Sequence, residues 1–213
     1  MENVLVVGAT GTTGRKVVQF LMASQNFEPV AMVRKEAQIQ SFADQGVQTR
    51  MGDLETDIPN IAQDMDKVVF AAGSGGKKVL EVDQEGAKKV VDSSKKHNLK
   101  KFVMLSSLGA DAPEEADELQ AYLEAKHRAD EYLKQSGIAY TIVRPGALTN
   151  APGKGSIELK EQLGHRGSVP RTDVAQVLTR SLHDHTATNK TVEIISGNTL
   201  IGKAMKALDD REP

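Results

Sequence analysis

Apolar residues in this chain fall in short continuous runs, at residues 4–7, 30–33, 68–72, 102–105 and 140–143, with a weaker one at 47–51. Continuous runs, rather than strict alternation, mark strands buried on both faces of a parallel sheet. Between the runs, apolar positions recur with helical spacing at 13–24, 35–45, 79–97 and 117–136, and a shorter helix is expected near 59–64. Strand and helix thus alternate, which predicts a doubly wound α/β fold with helices on both faces.

Beyond residue 143 the alternation weakens. Residues 145–170 are rich in glycine and polar side chains, with one strand expected at 156–159. A connection of that length commonly shapes a binding site, so 146–170 is read as a substrate-side loop. Thr172 is placed to cap a helix carrying Val174, Ala175, Val177, Leu178 and Leu182. A strand at 192–195 and a helix at 200–208 follow, with 209–213 expected to fray. The whole is read as one domain over 1–213, with 171–213 a short C-terminal extension.

Composition narrows the function classes. The 213 residues carry 27 basic and 29 acidic side chains, a net charge of −2, which argues against an electrostatic nucleic-acid binder. The Lys95-Lys96 and Lys100-Lys101 pairs read as a solvated face beside a helix end. Cysteine is absent, excluding disulfides, thiolate metal sites and cysteine nucleophiles. Aromatic residues are only 4 %, too few for stacking platforms. No apolar run approaches membrane-span length and no signal segment is evident, so a cytoplasmic protein with a small-molecule substrate is expected, without a membrane or nucleic-acid partner.

The first apolar run leads straight into Gly8-Ala9-Thr10-Gly11-Thr12-Thr13-Gly14 and then a helical pattern. Small residues here let the chain turn sharply, approach a pyrophosphate and pack the helix on the sheet. The helix N-terminus then offers amides to the phosphates, and Thr10, Thr12 and Thr13 add hydroxyls. The order strand, glycine loop, helix is the signature of a dinucleotide site. Where an NAD site places an acid after the second strand, this chain has Arg34 and Lys35, which favour a 2′-phosphate and hence NADP; nearby Glu36 keeps NAD open. Asp53-Leu54 and Ala71-Ala72-Gly73 end the next two strands, where adenine and ribose would lie; Asp53 could equally serve its own turn.

Candidate chemistry follows the fifth run. Ser106 and Ser107 end that strand, and the next helix carries Tyr122 and Lys126 four residues apart. Leu119, Tyr122, Lys126, Ala129 and Leu133 make one stripe, so phenol and ammonium project together. An ammonium stabilises a phenolate, which lets tyrosine exchange a proton with a carbonyl or alcohol, while a serine hydroxyl orients the same oxygen. Asp83 lies in the apolar stripe Val79, Asp83, Ala87, Val90, Ser94 and requires a partner there. His127, His183 and His185 lack the spacing of a metal site, and no metal is expected.

Together these residues resemble the short-chain dehydrogenase/reductase superfamily, and most closely its atypical branch of compact NAD(P)H-binding epimerase/dehydratase-type proteins, with NmrA-like proteins and flavin/biliverdin reductases also similar. The resemblance extends to Arg144-Pro145-Gly146 and to Pro170-Arg171-Thr172-Asp173-Val174-Ala175. It implies a Rossmann fold of about seven parallel strands and bound NADP(H). It implies Tyr122 as proton donor or acceptor, Lys126 on the nicotinamide ribose, Ser106 or Ser107 orienting substrate, and Pro145-Gly146 passing the nicotinamide. Asp83 falls where the superfamily's active site usually has Asn. Only 68 residues follow Pro145, little to hold a sugar nucleotide. The implied activity is an oxidoreductase or epimerase-like enzyme acting on a small carbonyl or alcohol; an NADP(H)-sensing regulator and a flavin or quinone reductase are the alternatives.

Overall fold

The computed structural model describes residues 1–116 and 119–209. The expectations for residues 117 and 118, and for the end of the tail at 210–213, lie outside the described residues. Strand β1 (Glu2–Val7) leads into α1 (Thr12–Met22), followed by β2 (Phe27–Val33), α2 (Ile39–Ala43), β3 (Gln48–Met51) and β4 (Lys67–Phe70). A π-helical segment, Val79–Glu85, runs into α3 (Gly86–Lys96), then come β5 (Lys101–Leu105), α4 (Gln120–Gln135) and β6 (Tyr140–Pro145). The remainder comprises β7 (Ala147–Thr149), β8 (Ser156–Lys160), β9 (Ser168–Pro170), α5 (Arg171–Arg180), β10 (Lys190–Ser196), β11 (Thr199–Leu200) and α6 (Ile201–Asp209).

Among the described residues the main sheet has nine strands in the order β11-β8-β10-β6-β5-β4-β1-β2-β3, more than the seven expected. The stretch from β3 to β10 is parallel throughout. The extra strands are β8, antiparallel to β10, and β11, antiparallel to β8. They cover what would otherwise be an open edge. The order reverses between β1 and β4, and ligands of such sheets bind in the crevice beyond the carboxyl ends of the strands at that point.

The apolar runs are continuous because each strand serves two cores. Val4, Val6, Val103 and Leu105 pack with α1, α5 and α6, whereas Leu5, Val7, Phe102 and Met104 face α3 and α4. Where a polar residue is buried in a strand it has a partner: Thr141 donates to Ala187 O, Arg144 to Asp130, and Glu193 accepts from the Leu163 amide.

Several expectations are corrected. Residues 59–64 form turns, not a helix, although Ile61 and Ala62 are buried in them. The 35–45 helix is a 3₁₀ turn at Glu36–Gln38 followed by the short α2. Besides the expected strand β8, the 146–170 loop holds β7 and β9, which pair with each other, so part of its backbone is sheet-paired. The cap of α5 is Pro170, and Thr172 sits inside the helix. Leu119 is 59 % exposed and leaves the α4 stripe, which begins at Leu123.

Lys101 is not part of a solvated face. It is 1 % exposed, at the start of β5, and its Nζ donates to the His183 and Thr186 carbonyls and to Thr188 Oγ1, each at 2.8 Å. Beside it Lys67, equally buried, pairs with Glu2 and Asp184 and donates to Leu182 O. Burial, with help from Lys67, lowers the Lys101 ammonium to about 8. The two lysines fasten the segment after α5 to the amino edge of the sheet. An open cleft of about 510 Å³ lies there, lined by Glu2, Phe27, Lys67, His183 and Asp184 among others, on the edge opposite the ligand crevice.

Candidate coenzyme and active site

The turn after β1 is drawn in tightly by its glycines. Gly8 sits at φ +83°, and a Cβ on it would lie 2.6 Å from the Ala72 amide nitrogen. A Cβ on Gly14 would lie 2.1 Å from Gly8 O, and one on Gly11 3.2 Å from the same oxygen. The glycines therefore bring three backbone segments into contact: the turn, the first turn of α1 and the loop after β4. Gly11 caps α1 without a side-chain hydrogen bond, and no acid occupies the first helical turn. The amides of Thr12 and Thr13 are left for an anion, and the helix dipole favours one. A bound dinucleotide fits this cradle; a side chain on the glycines would fill it.

Arg34 projects from the end of β2 with its side chain 55 % exposed and its Nη1 3.5 Å from Glu55 Oε1. The backbone amides of Arg34 and Lys35 both donate to Gln38 Oε1, at 2.9 and 3.0 Å, fixing the turn that presents them. Asp53 Oδ1 accepts from the Glu55 amide at 3.0 Å, so its side chain stabilises its own turn. Leu54 is buried against Gly86. Ala71 and Ala72 are half-buried and Gly73 exposed, beside the glycine turn.

The structure brings Asp83, Lys126 and Tyr122 together. Lys126 is 3 % exposed; its Nζ donates to Leu105 O at 3.3 Å and lies 3.4 Å from Asp83 Oδ1. The same ammonium lies 5.7 Å from the Tyr122 ring centre. Tyr122 is half-buried, and among the described residues its hydroxyl has no hydrogen-bond partner. Asp83 is also buried, and its Oδ2 accepts from Ser74 N at 3.0 Å and Ser74 Oγ at 2.7 Å. One carboxylate thus ties the loop after β4 to the lysine of α4.

The two serines diverge. Ser106 is buried and donates to Asp130 Oδ2 at 2.8 Å, whereas Ser107 is half-buried with only a long 3.5 Å contact to Leu108 O. Asp130 lies under the site with no exposure, paired with Arg144 Nε and Nη2, each at 3.0 Å. Burial pushes its carboxyl up, and the Arg144 charge and the Ser106 hydrogen bond oppose that rise. Arg144 in turn reaches Asp111 at 3.6 Å. Pro145 ends β6, and Gly146 passes so close to Gly167 that a Cβ would fall 2.3 Å from its carbonyl oxygen.

A family model for NAD(P)H-binding proteins matches residues 8–185, from the glycine turn to the segment after α5. The chain belongs to the NAD(P)H-binding family. Among relatives of this NAD(P)H-binding protein, the uncharacterized sugar epimerase YhfK of Bacillus subtilis is 37 % identical over 97 % of this chain and its own full length. A solved structure from Bacillus halodurans, assigned by name to the NAD-dependent epimerase/dehydratases, superposes with a TM-score of 0.92 at 36 % identity, covering 97 % of this chain and all of that one. The oxidoreductase ylbE of Lactococcus lactis superposes with a TM-score of 0.87 at 29 % identity, over 99 % and 98 % of the two chains. Among the described residues no helix is long and apolar enough to cross a membrane.

In the sequence, Arg144 stands out only within the Arg-Pro-Gly resemblance, and Asp130 and Glu55 are not singled out. Asp130 had one local signal, a charge four residues beyond Lys126 on the buried side of α4. Its partner Arg144 interrupts an apolar strand, but nothing in the sequence joins the two. Glu55, the counter-charge of Arg34, had no signal, because only the fold places the turn after β3 beside the end of β2.

Proposed function

We propose that this protein is an NADP(H)-dependent oxidoreductase or epimerase-like enzyme, with Tyr122 moving the proton to or from the oxygen of a small carbonyl or alcohol. The observation that carries the reading is a half-buried phenol whose hydroxyl has no hydrogen-bond partner among the described residues, beside a buried ammonium, at the carboxyl edge that also holds the glycine cradle. The coenzyme, when bound, supplies or takes the hydride. The Gly8–Gly14 turn binds its pyrophosphate, and Pro145 and Gly146 lie where its nicotinamide end would pass. Lys126, fixed by Leu105 O and Asp83, stabilises negative charge on Tyr122 and has donors for a ribose hydroxyl. Ser107 orients the substrate oxygen, because the Ser106 hydroxyl is already donated to Asp130. The relative named as a sugar epimerase supports the epimerase-like form of the reading.

The test is NADPH oxidation against a panel of carbonyl compounds, with Tyr122→Phe as the diagnostic variant. The variant is expected to lose about 10²–10⁴ in kcat, as for removal of a general acid, with coenzyme Kd unchanged. Turnover that survives the substitution intact would remove Tyr122 from the reaction.

Arg34 and Lys35 carry the preference for NADP, since the position after β2 reads the ribose 2′ group. Arg34→Ala is expected to weaken NADP binding by roughly 1.5–3 kcal/mol, less where Lys35 compensates, and to leave NAD nearly untouched. Calorimetric titration with both coenzymes decides it; equal weakening would refute the 2′-phosphate assignment.

A further inference from the structure

The carboxylate of Glu55 bridges two cations at the adenosine end of the crevice. Its Oε1 lies 3.5 Å from Arg34 Nη1 after β2, and its Oε2 pairs with the Lys78 ammonium on the loop after β4. The backbone holds two of these residues in place: Asp53 Oδ1 accepts from the Glu55 amide at 3.0 Å, and Gln38 Oε1 accepts from the Arg34 amide at 2.9 Å. The side chains themselves meet in water, at 55 % exposure for Arg34, 52 % for Lys78 and 29 % for Glu55. Exposed pairs of this kind are weak and yield to a better-charged competitor.

That competitor has a defined chemistry. The group after the second strand of such a sheet contacts the ribose 2′ position, where one coenzyme carries a hydroxyl and the other a phosphate dianion. A dianion arriving beside Arg34 meets a cation already neutralised by Glu55, with Lys78 held at the other side of the same carboxylate. We infer that Glu55 is a specificity-determining residue that moderates the preference for the 2′-phosphorylated coenzyme, and that Lys78 is a further cation for that phosphate beside Arg34 and Lys35. This rests on the NADP(H) reading above. On binding, the phosphate replaces the Glu55 carboxylate as the shared partner of Arg34 and Lys78. A 2′-hydroxyl makes no such exchange, so the non-phosphorylated coenzyme leaves the ion triad in place.

The experiment titrates NADP⁺ and NAD⁺ into wild type, Glu55→Gln and Lys78→Met by calorimetry at low and high ionic strength. Glu55→Gln is expected to tighten NADP⁺ about threefold to tenfold and to change NAD⁺ less than about twofold. Lys78→Met is expected to weaken NADP⁺ by a similar factor and spare NAD⁺. Both effects should shrink as salt is raised, because the charges are exposed. A Glu55→Gln protein with an unchanged ratio of the two affinities overturns the inference. So does one that loses NAD⁺ instead, which would make Glu55 an acceptor for the ribose hydroxyl. Wild type that binds neither coenzyme removes the NADP(H) reading and this inference together. Wild type that binds NADP⁺, with a ratio insensitive to both substitutions, removes this inference alone.

Discussion

Gly14→Ala is expected to abolish measurable coenzyme binding while leaving a folded protein. The added methyl group would sit 2.1 Å from Gly8 O and 2.7 Å from Gly8 C, both backbone atoms that no rotamer change can move aside. Either α1 lifts from the sheet or the turn opens, and each displaces the Thr12 and Thr13 amides proposed above to bind the phosphates. Losing two charge-assisted hydrogen bonds corresponds to roughly 3 kcal/mol or more, at least about a hundredfold in Kd. The stability cost should be smaller, about 1–3 kcal/mol, as for other overpacked sites. Titration calorimetry and urea denaturation on the same preparation separate the two. A variant that binds coenzyme within about threefold of wild type would show that this contact does not shape the phosphate site.

Arg144→Met is expected to have the largest effect on stability. Asp130 is fully buried, its Oδ1 has no hydrogen-bond partner, and Arg144 supplies its neighbouring positive charge in direct contact. Removing one member of a buried pair leaves an uncompensated charge and costs about 3–5 kcal/mol. Replacing both, as Arg144→Met with Asp130→Leu, should recover most of that loss, because an apolar pair needs no counter-charge. The pH dependence follows from the raised Asp130 carboxyl. A group whose native pKa lies above its unfolded value stabilises fully below the unfolded value, and that contribution is lost as pH rises through the native one. Without Arg144 the native value moves higher still. The stability gap between wild type and Arg144→Met should therefore be wider at a pH above the wild-type native value than at a pH below it. Denaturation curves at the two pH values check the sign; a gap that narrows would mean that Asp130 is not the group left exposed to the loss.

The sheet was legible because its strands are buried on both sides. Val4 and Val6 face one layer while Leu5 and Val7 face the other, so a run of apolar residues reports the strand directly. The short strands β7 and β9 were not legible, since three residues give no period and β9 ends in a proline. Strand β8 was readable because Ile157 is buried and flanked by the more exposed Ser156 and Glu158. The helix expected at 59–64 failed for the opposite reason: apolar residues there are buried by turns, and periodicity does not distinguish the two. In the site, motifs local in sequence were visible, namely the glycine turn and the Tyr122–Lys126 pair. Contacts between distant segments were not. Arg144 with Asp130, Lys101 with the segment after α5, and Glu55 with Arg34 depend on the order of strands, which no local pattern encodes.

The Asp83 geometry also accounts for the acid where related active sites usually have asparagine. Its neighbours on both sides are donors: the Ser74 amide and hydroxyl at one oxygen, the Lys126 ammonium at the other. A carboxamide has a single accepting atom, so its NH₂ would be turned against one of those donors. An acceptor-only side chain takes both Ser74 hydrogen bonds on Oδ2 and turns Oδ1, which has no hydrogen-bond partner among the described residues, toward the Lys126 charge.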